Sequence, residues 1–237
     1  MLARLRRDSV WENVLPSFRV HYHCLAMLIC IAVSLTLPAR ADSLDLQIVD
    51  SRGEPLENAV VLLPGQISTP PSSVAVMDQV NKTFVPHVLV IQQGQQVVFP
   101  NSDNIRHHVY SFSPAKAFEI KLYAGTPEAP IAFDTAGIVV LGCNIHDSMV
   151  GYIVVADTPV AGVSDGDGRI RLAVDDLPPT VRLWHPLLGS QYPAPVTLPL
   201  PAADSTGTRT LTLNVQQPTA APAAATFGNR FKKHHDQ

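Results

Sequence analysis

Between residues 74 and 155 no apolar stripe with a 3.6-residue period runs for the length of a helix; short β-type runs separated by turn signals fill the segment. The pattern predicts an antiparallel β domain. Val88 and Val90, reaching back toward Val85, line a strand that ends at Gln92-Gln93-Gly94-Gln95. Val97, Val98 and Phe99 form the next, before Pro100-Asn101-Ser102-Asp103-Asn104 turns the chain. Residues 105–112 read as extended, with His107, Val109 and Ser111 on one face and His108 and Tyr110 on the other. Gly125-Thr126-Pro127-Glu128 precedes a strand over 131–133. Gly137 opens a last strand in which Val139, Leu141 and Cys143 alternate inward, and residues 151–155 carry the chain away. Low charge and 21 prolines suit a β-rich, turn-rich chain.

Residues 1–41 have the three parts of a secretory signal peptide: Arg4, Arg6, Arg7 and Arg19, then an apolar run over 25–37, then Ala39-Arg40-Ala41. Cleavage is expected after Ala41, because an apolar run of about 13 residues is short for a membrane span. Arg6-Arg7 leaves twin-arginine export open beside the general route. The expected location is the periplasm, with no stable membrane span once the leader is gone. Cys24 and Cys30 fall within the leader, so Cys143 is the only cysteine of the expected mature chain. An unpaired thiol in an oxidising compartment is a liability unless something occupies it. Metal coordination would do so.

Cys143, His146 and Met149 stand in one short run, Cys143-Asn144-Ile145-His146-Asp147-Ser148-Met149. Each residue alone is weak evidence. A lone buried cysteine is more often a small apolar core residue than a ligand, and a methionine is more often packing. Together they suit copper, because cupric ion favours nitrogen donors, cuprous ion favours softer ones, and imidazole, thiolate and thioether serve both. Zinc is the chemical rival; it commonly takes Cys and His but seldom a thioether, so Met149 favours copper. A binuclear copper site would need a second cysteine in the run, and none is there. Coordination needs Cys143 as thiolate and any ligand histidine neutral, so acid should weaken the site.

The order of these residues resembles the cupredoxins, the blue copper carriers that include plastocyanin and amicyanin. In that family the first histidine ligand lies six residues after an asparagine and is followed by Asn-Val; Asn101, His107, His108 and Val109 fill this frame, with His108 in the asparagine's place. The Gly137, Val139, Leu141, Cys143 ladder fits as well, and the spacing of Cys143, His146 and Met149 matches the short amicyanin loop. The likeness covers about 80 residues and implies a Greek-key β-sandwich over 74–157 holding one Cu(I)/Cu(II) ion on His107, Cys143, His146 and Met149. Met149 would be axial, and His146, near the surface in an apolar patch, would be the electron port. The strand faces also favour His107 over His108, leaving His108 as an outer residue or an exposed one.

The flanks read as more strands. Residues 44–49 alternate, Asp50-Ser51-Arg52-Gly53-Glu54-Pro55 turns, and 59–63 form another strand; later come 163–170, 181–184 and 211–215. They loosely resemble a transthyretin-like or carboxypeptidase-regulatory sandwich split by the copper domain, with a first part over 42–65 and a second over 158–215. Two short extensions packed on the cupredoxin are the simpler arrangement. Asp165-Gly166-Asp167-Gly168 is expected to be a hairpin turn, since it lacks the spacing and terminal glutamate of a calcium loop. Residues 216–237, rich in Pro and Ala before Lys232-Lys233-His234-His235, read as a disordered tail.

A net charge of −3 leaves no basic footprint for nucleic acid. The resemblance implies a periplasmic one-electron carrier whose partner is a redox protein, such as a c-type cytochrome or a periplasmic dehydrogenase. Copper binding and delivery by the same residues is the alternative, and a non-metal binding module is a third. No arrangement of nucleophile, base and oxyanion donor is visible, so catalysis is not expected.

Overall fold

The computed structural model describes residues 42–216, apart from 68, 70, 128 and 190–192. The expected leader, and the tail beyond Gln216, lie outside the described residues. Among the described residues the chain is all β, its helical content a single 3₁₀ turn at Pro186–Leu188. None of their helices is long and apolar enough to cross a membrane.

The leading flank supplies β1 (Asp42–Val49) and β2 (Val60–Leu62). The central segment contributes β3 (Ala75–Val76), β4 (Asp78–Val80), β5 (Thr83–Val85), β6 (Val88–Gln92), β7 (Gln96–Val98), β8 (His107–Ser113), β9 (Lys116–Tyr123), β10 (Ile131–Ala132), β11 (Gly137–Gly142) and β12 (Val150–Ala156). The trailing flank adds β13 (Ala161–Val163), β14 (Arg169–Val174), β15 (Thr180–Trp184), β16 (Val196–Pro199) and β17 (Arg209–Thr212).

Flank strands pair with flank strands. One sheet has the order β14-β1-β17 and another β13-β2-β15-β16. Alternation in β1 turns Leu44, Leu46 and Ile48 into a core shared with Val61, Leu172, Val181 and Leu183. Each such side chain, fully buried, contributes about 1.5–3 kcal/mol. The opposite face of β2 and β15 carries Val60, Leu62 and Trp184, which pack on Val88, Ile138, Val154 and Ala156 of the central segment. Both faces of β2 are therefore covered. This is why residues 59–63 read as an unbroken apolar run.

The central segment forms a five-stranded sheet, β6-β12-β11-β8-β9, with a three-stranded sheet, β10-β7-β3, and the β4–β5 hairpin. Its inner core gathers Ile91, Val109, Val139, Leu141, Cys143 and Ile153 against Met77, Phe84, Val97, Phe99 and Phe133. The inward ladder of Val139, Leu141 and Cys143 is present as expected. The strand expected through Val85, Val88 and Val90 is instead two, β5 and β6, interrupted at Pro86, which has no N–H to donate. Strand β8 starts at His107, two residues after the expected start. Strand β9 was not anticipated, although Phe118, Ile120 and Leu122 alternate there with Glu119 and Lys121.

One turn recurs three times in the flanks. Asp50, Asp165 and Asp204 each begin an Asp-x-x-Gly turn whose glycine, Gly53, Gly168 or Gly207, has φ of 86°, 73° or 88°. In each, Oδ1 of the aspartate accepts the backbone N–H two and four residues on: Arg52 and Glu54, Asp167 and Arg169, Thr206 and Thr208. Asp165 thus serves a tight turn as its sequence suggests, but not a hairpin: β13 and β14 on either side of it belong to different sheets.

Candidate metal centre

Two strand registers build the centre. Strands β11 and β12 pair antiparallel with Gly142 opposite Val150, so residues 143–149 are the closed loop between them. Strand β8 runs antiparallel to β11 with Tyr110 opposite Gly142. Residues before Tyr110 therefore lie beside residues after Gly142. That places His107 next to Cys143 although 36 positions separate them.

Cys143 Sγ lies 3.9 Å from His107 Nδ1 and 3.9 Å from His146 Nδ1. Donor atoms of the three residues all fall within 4.8 Å of one another, and the two imidazoles are 5.1 Å apart at 58°. With a metal–sulfur bond of about 2.3 Å and metal–nitrogen bonds of about 2.0–2.1 Å, the observed sulfur–nitrogen separation subtends about 125° at a common ion. The spacing thus lets one ion reach all three donors at ordinary bond lengths.

Cys143 and His107 are buried, at 3% and 0% exposure, whereas His146 is half-buried between the exposed Ile145 and Asp147. Met149, at 1% exposure, belongs to the same core as Cys143, and its N–H donates to His146 O at 2.9 Å. That bond closes a tight turn from His146 to the start of β12.

His107 is held from behind. Its Nε2 lies 2.6 Å from Asp103 Oδ2. A carboxylate oxygen only accepts, so Nε2 carries the proton and a neutral ring presents its Nδ1 lone pair to Cys143. Asp103 also accepts the N–H groups of Asn81 at 2.6 Å and Lys82 at 2.9 Å. Burial opposes ionisation of Asp103, but Lys82, His107 and Asn81 together outweigh it and hold the carboxyl below its ordinary range. Asn101 shapes the loop: its Nδ2 donates to Ile105 O and Tyr123 O, and its Oδ1 accepts from Asp103 N. Tyr123, opposite His107 in β9, donates its hydroxyl to Phe99 O and receives Gln79 Nε2. Burial pushes this phenol up to about 12, so it stays protonated.

His108 is buried at 5% exposure, not surface-exposed. Its Nε2 meets Glu119 Oε1 at 2.8 Å and its ring leans on Tyr110 at 5.5 Å. The β8–β9 register shifts between His107 and Val109, so simple alternation is interrupted there. Of the four residues singled out from sequence, the structure brings His107, Cys143 and His146 together and sets Met149 in the adjoining core. Asp103, Glu119 and Tyr123 were missed. Asp103 had one available signal, a carboxylate four residues before His107 in a turn.

No family model matches the sequence, and no curated protein matches it. Solved structures resemble parts of the chain. The reduced Cu(I) form of an amicyanin mutant at pH 4 has 19% identity, covers 40% of this chain and 97% of its own, and has a TM-score of 0.32. A purple cupredoxin from Nitrosopumilus maritimus has 20% identity, covers 36% of this chain and 100% of its own, and has a TM-score of 0.31. A copper-containing nitrite reductase from Thermus scotoductus SA-01 has 24% identity, covers 46% of this chain and 28% of its own, and has a TM-score of 0.33. At such values the metal reading rests on the side chains themselves.

Proposed function

We propose that the protein is a periplasmic mononuclear copper protein that carries single electrons, whose ion His107, Cys143, His146 and Met149 would hold. The supporting observation is the pair of 3.9 Å separations that Cys143 Sγ makes with the two Nδ1 atoms, a soft thiolate donor flanked by two imidazoles. A copper ion bound there would supply reversible one-electron chemistry. The chain's part is to hold three donors in a spacing both valences accept, and to keep solvent from the thiolate by burying it among Leu141, Val109 and Met149.

His146 is the side chain of the set with partial exposure, which makes it the electron port. Ile105, Leu122 and Ile145 are exposed on segments next to His107, Tyr123 and His146. They would give a redox partner, such as a c-type cytochrome or a periplasmic dehydrogenase, an apolar surface to dock on.

The test separates carrying from delivery. Copper-loaded protein is cycled between oxidised and reduced forms with a competing chelator present. A carrier keeps its metal through the cycles. Loss of copper to the chelator on reduction overturns the reading and makes the protein a copper donor.

A further inference from the structure

We propose that Asp103 is the positioning residue of the centre, coupling its redox preference to the order of the β4–β5 turn. The inference rests on the copper reading above. Three donors converge on this carboxylate: Asn81 N on Oδ1, and Lys82 N and His107 Nε2 on Oδ2. The turn residues Asn81 and Lys82 have φ of 53° and 60°, a conformation that Lys rarely adopts. Two successive left-handed residues point their N–H groups to one side, which makes a small anion cradle. Asp103 fills it and offsets the strain.

The same anion acts on His107. That ring has 0% exposure, so with Asp103 in place its carboxylate, not water, is the partner of Nε2. The carboxylate fixes the tautomer and the ring plane, and its charge raises the donor strength of Nδ1. A stronger donor favours the doubly charged metal over the singly charged one. Disturbing the β4–β5 turn therefore reaches the metal through one side chain, with no contact of its own to the ion.

Asp103→Asn tests this with copper-loaded protein. It retains an acceptor of similar shape and loses the charge. The expected result is a fall of about tenfold in the oxidised-over-reduced preference, equivalent to a rise of about 59 mV in potential. Cupric affinity should fall about 10- to 100-fold. Hydrogen exchange gives a readout independent of redox activity: the Asn81 and Lys82 amides should be protected in the parent and exchange faster in Asp103→Asn. Lys82→Gly relieves the left-handed strain but keeps the N–H and the carboxylate, so the turn stays ordered and the potential should match the parent's. It also serves as a second variant if Asp103→Asn does not fold, with retained protection at residue 81 as the expected result. A parent that binds copper while Asp103→Asn keeps the parental potential and affinity overturns the inference alone. A parent that does not bind copper overturns the reading beneath it.

Discussion

Tyr110 lies over Gly142: a Cβ added at position 142 would stand 2.7 Å from Tyr110 Cζ and 2.8 Å from its hydroxyl. The two residues are also partners in the β8–β11 register, the same register that sets His107 beside Cys143. Gly142→Ala should force the ring aside. Because the contacted atoms are the outer end of the side chain, the cost should be about 1–2 kcal/mol. Gly151→Ala meets Phe84 at its Cβ, 2.7 Å away, where the side chain is rooted and cannot swing. Its cost should be larger, about 3 kcal/mol. Denaturant unfolding of the two variants gives the order directly.

The three Asp-x-x-Gly turns should respond unequally to alanine. At Gly53 and Gly207 an added Cβ meets nothing within 4 Å, so only the left-handed backbone resists, at about 1–2 kcal/mol. At Gly168 the Cβ would also approach Ile48 O at 2.4 Å. Gly168→Ala should therefore lower the melting temperature more than Gly53→Ala or Gly207→Ala. Equal shifts would contradict the account of this turn.

The adjacent histidines should separate cleanly. His107→Ala removes a donor facing Cys143, and cupric affinity should fall at least about 100-fold. His108 is engaged with Glu119, so His108→Ala should keep a copper centre of near-parental affinity. Titration of both variants with cupric ion decides which ring belongs to the site.

Acid should destabilise the metal-free protein through His185. Burial pushes this imidazole below its ordinary value. Its Nε2 donates to Glu57 O and its Nδ1 accepts from Leu187 N, an arrangement only the neutral ring can make. An unfolded histidine takes up its proton near about pH 6.5, and the folded one only at lower pH. Below about pH 6.5 the unfolded state therefore binds more protons, and stability declines as pH falls. Melting temperatures of parent and His185→Gln between about pH 7.5 and about pH 5.5 should show a steeper fall for the parent.

The candidate site was legible because its signals are local. Cys143, His146 and Met149 share one loop, and the alternation of Val139, Leu141 and Cys143 announces which way the sulfur points. His107 needed more: strand faces and a family frame favoured it, while the β-bulge beside His108 is invisible in the pattern. Asp103 escaped because its three partners come from a hairpin more than 20 positions earlier and a strand that follows it. The same limit applies to the flanks. Individual strands such as β1 and β15 show in their alternation, but the pairing of β1 with β14 and β17 is set by contacts over 120 residues apart, which no local pattern encodes. The turn at Asp204 repeats the other two, yet only the strand after it shows in the pattern, through Leu211, Leu213 and Val215; β16 before it carries little buried apolar surface.

The most direct measurement is addition of one equivalent of cupric ion to purified metal-free protein, followed in the visible spectrum through a reductive titration. The account predicts an intense thiolate-to-copper absorption that saturates at one ion per chain, bleaches on reduction and returns on oxidation, and is absent from Cys143→Ser. A colourless protein that instead takes up one zinc ion in tetrahedral geometry would contradict it.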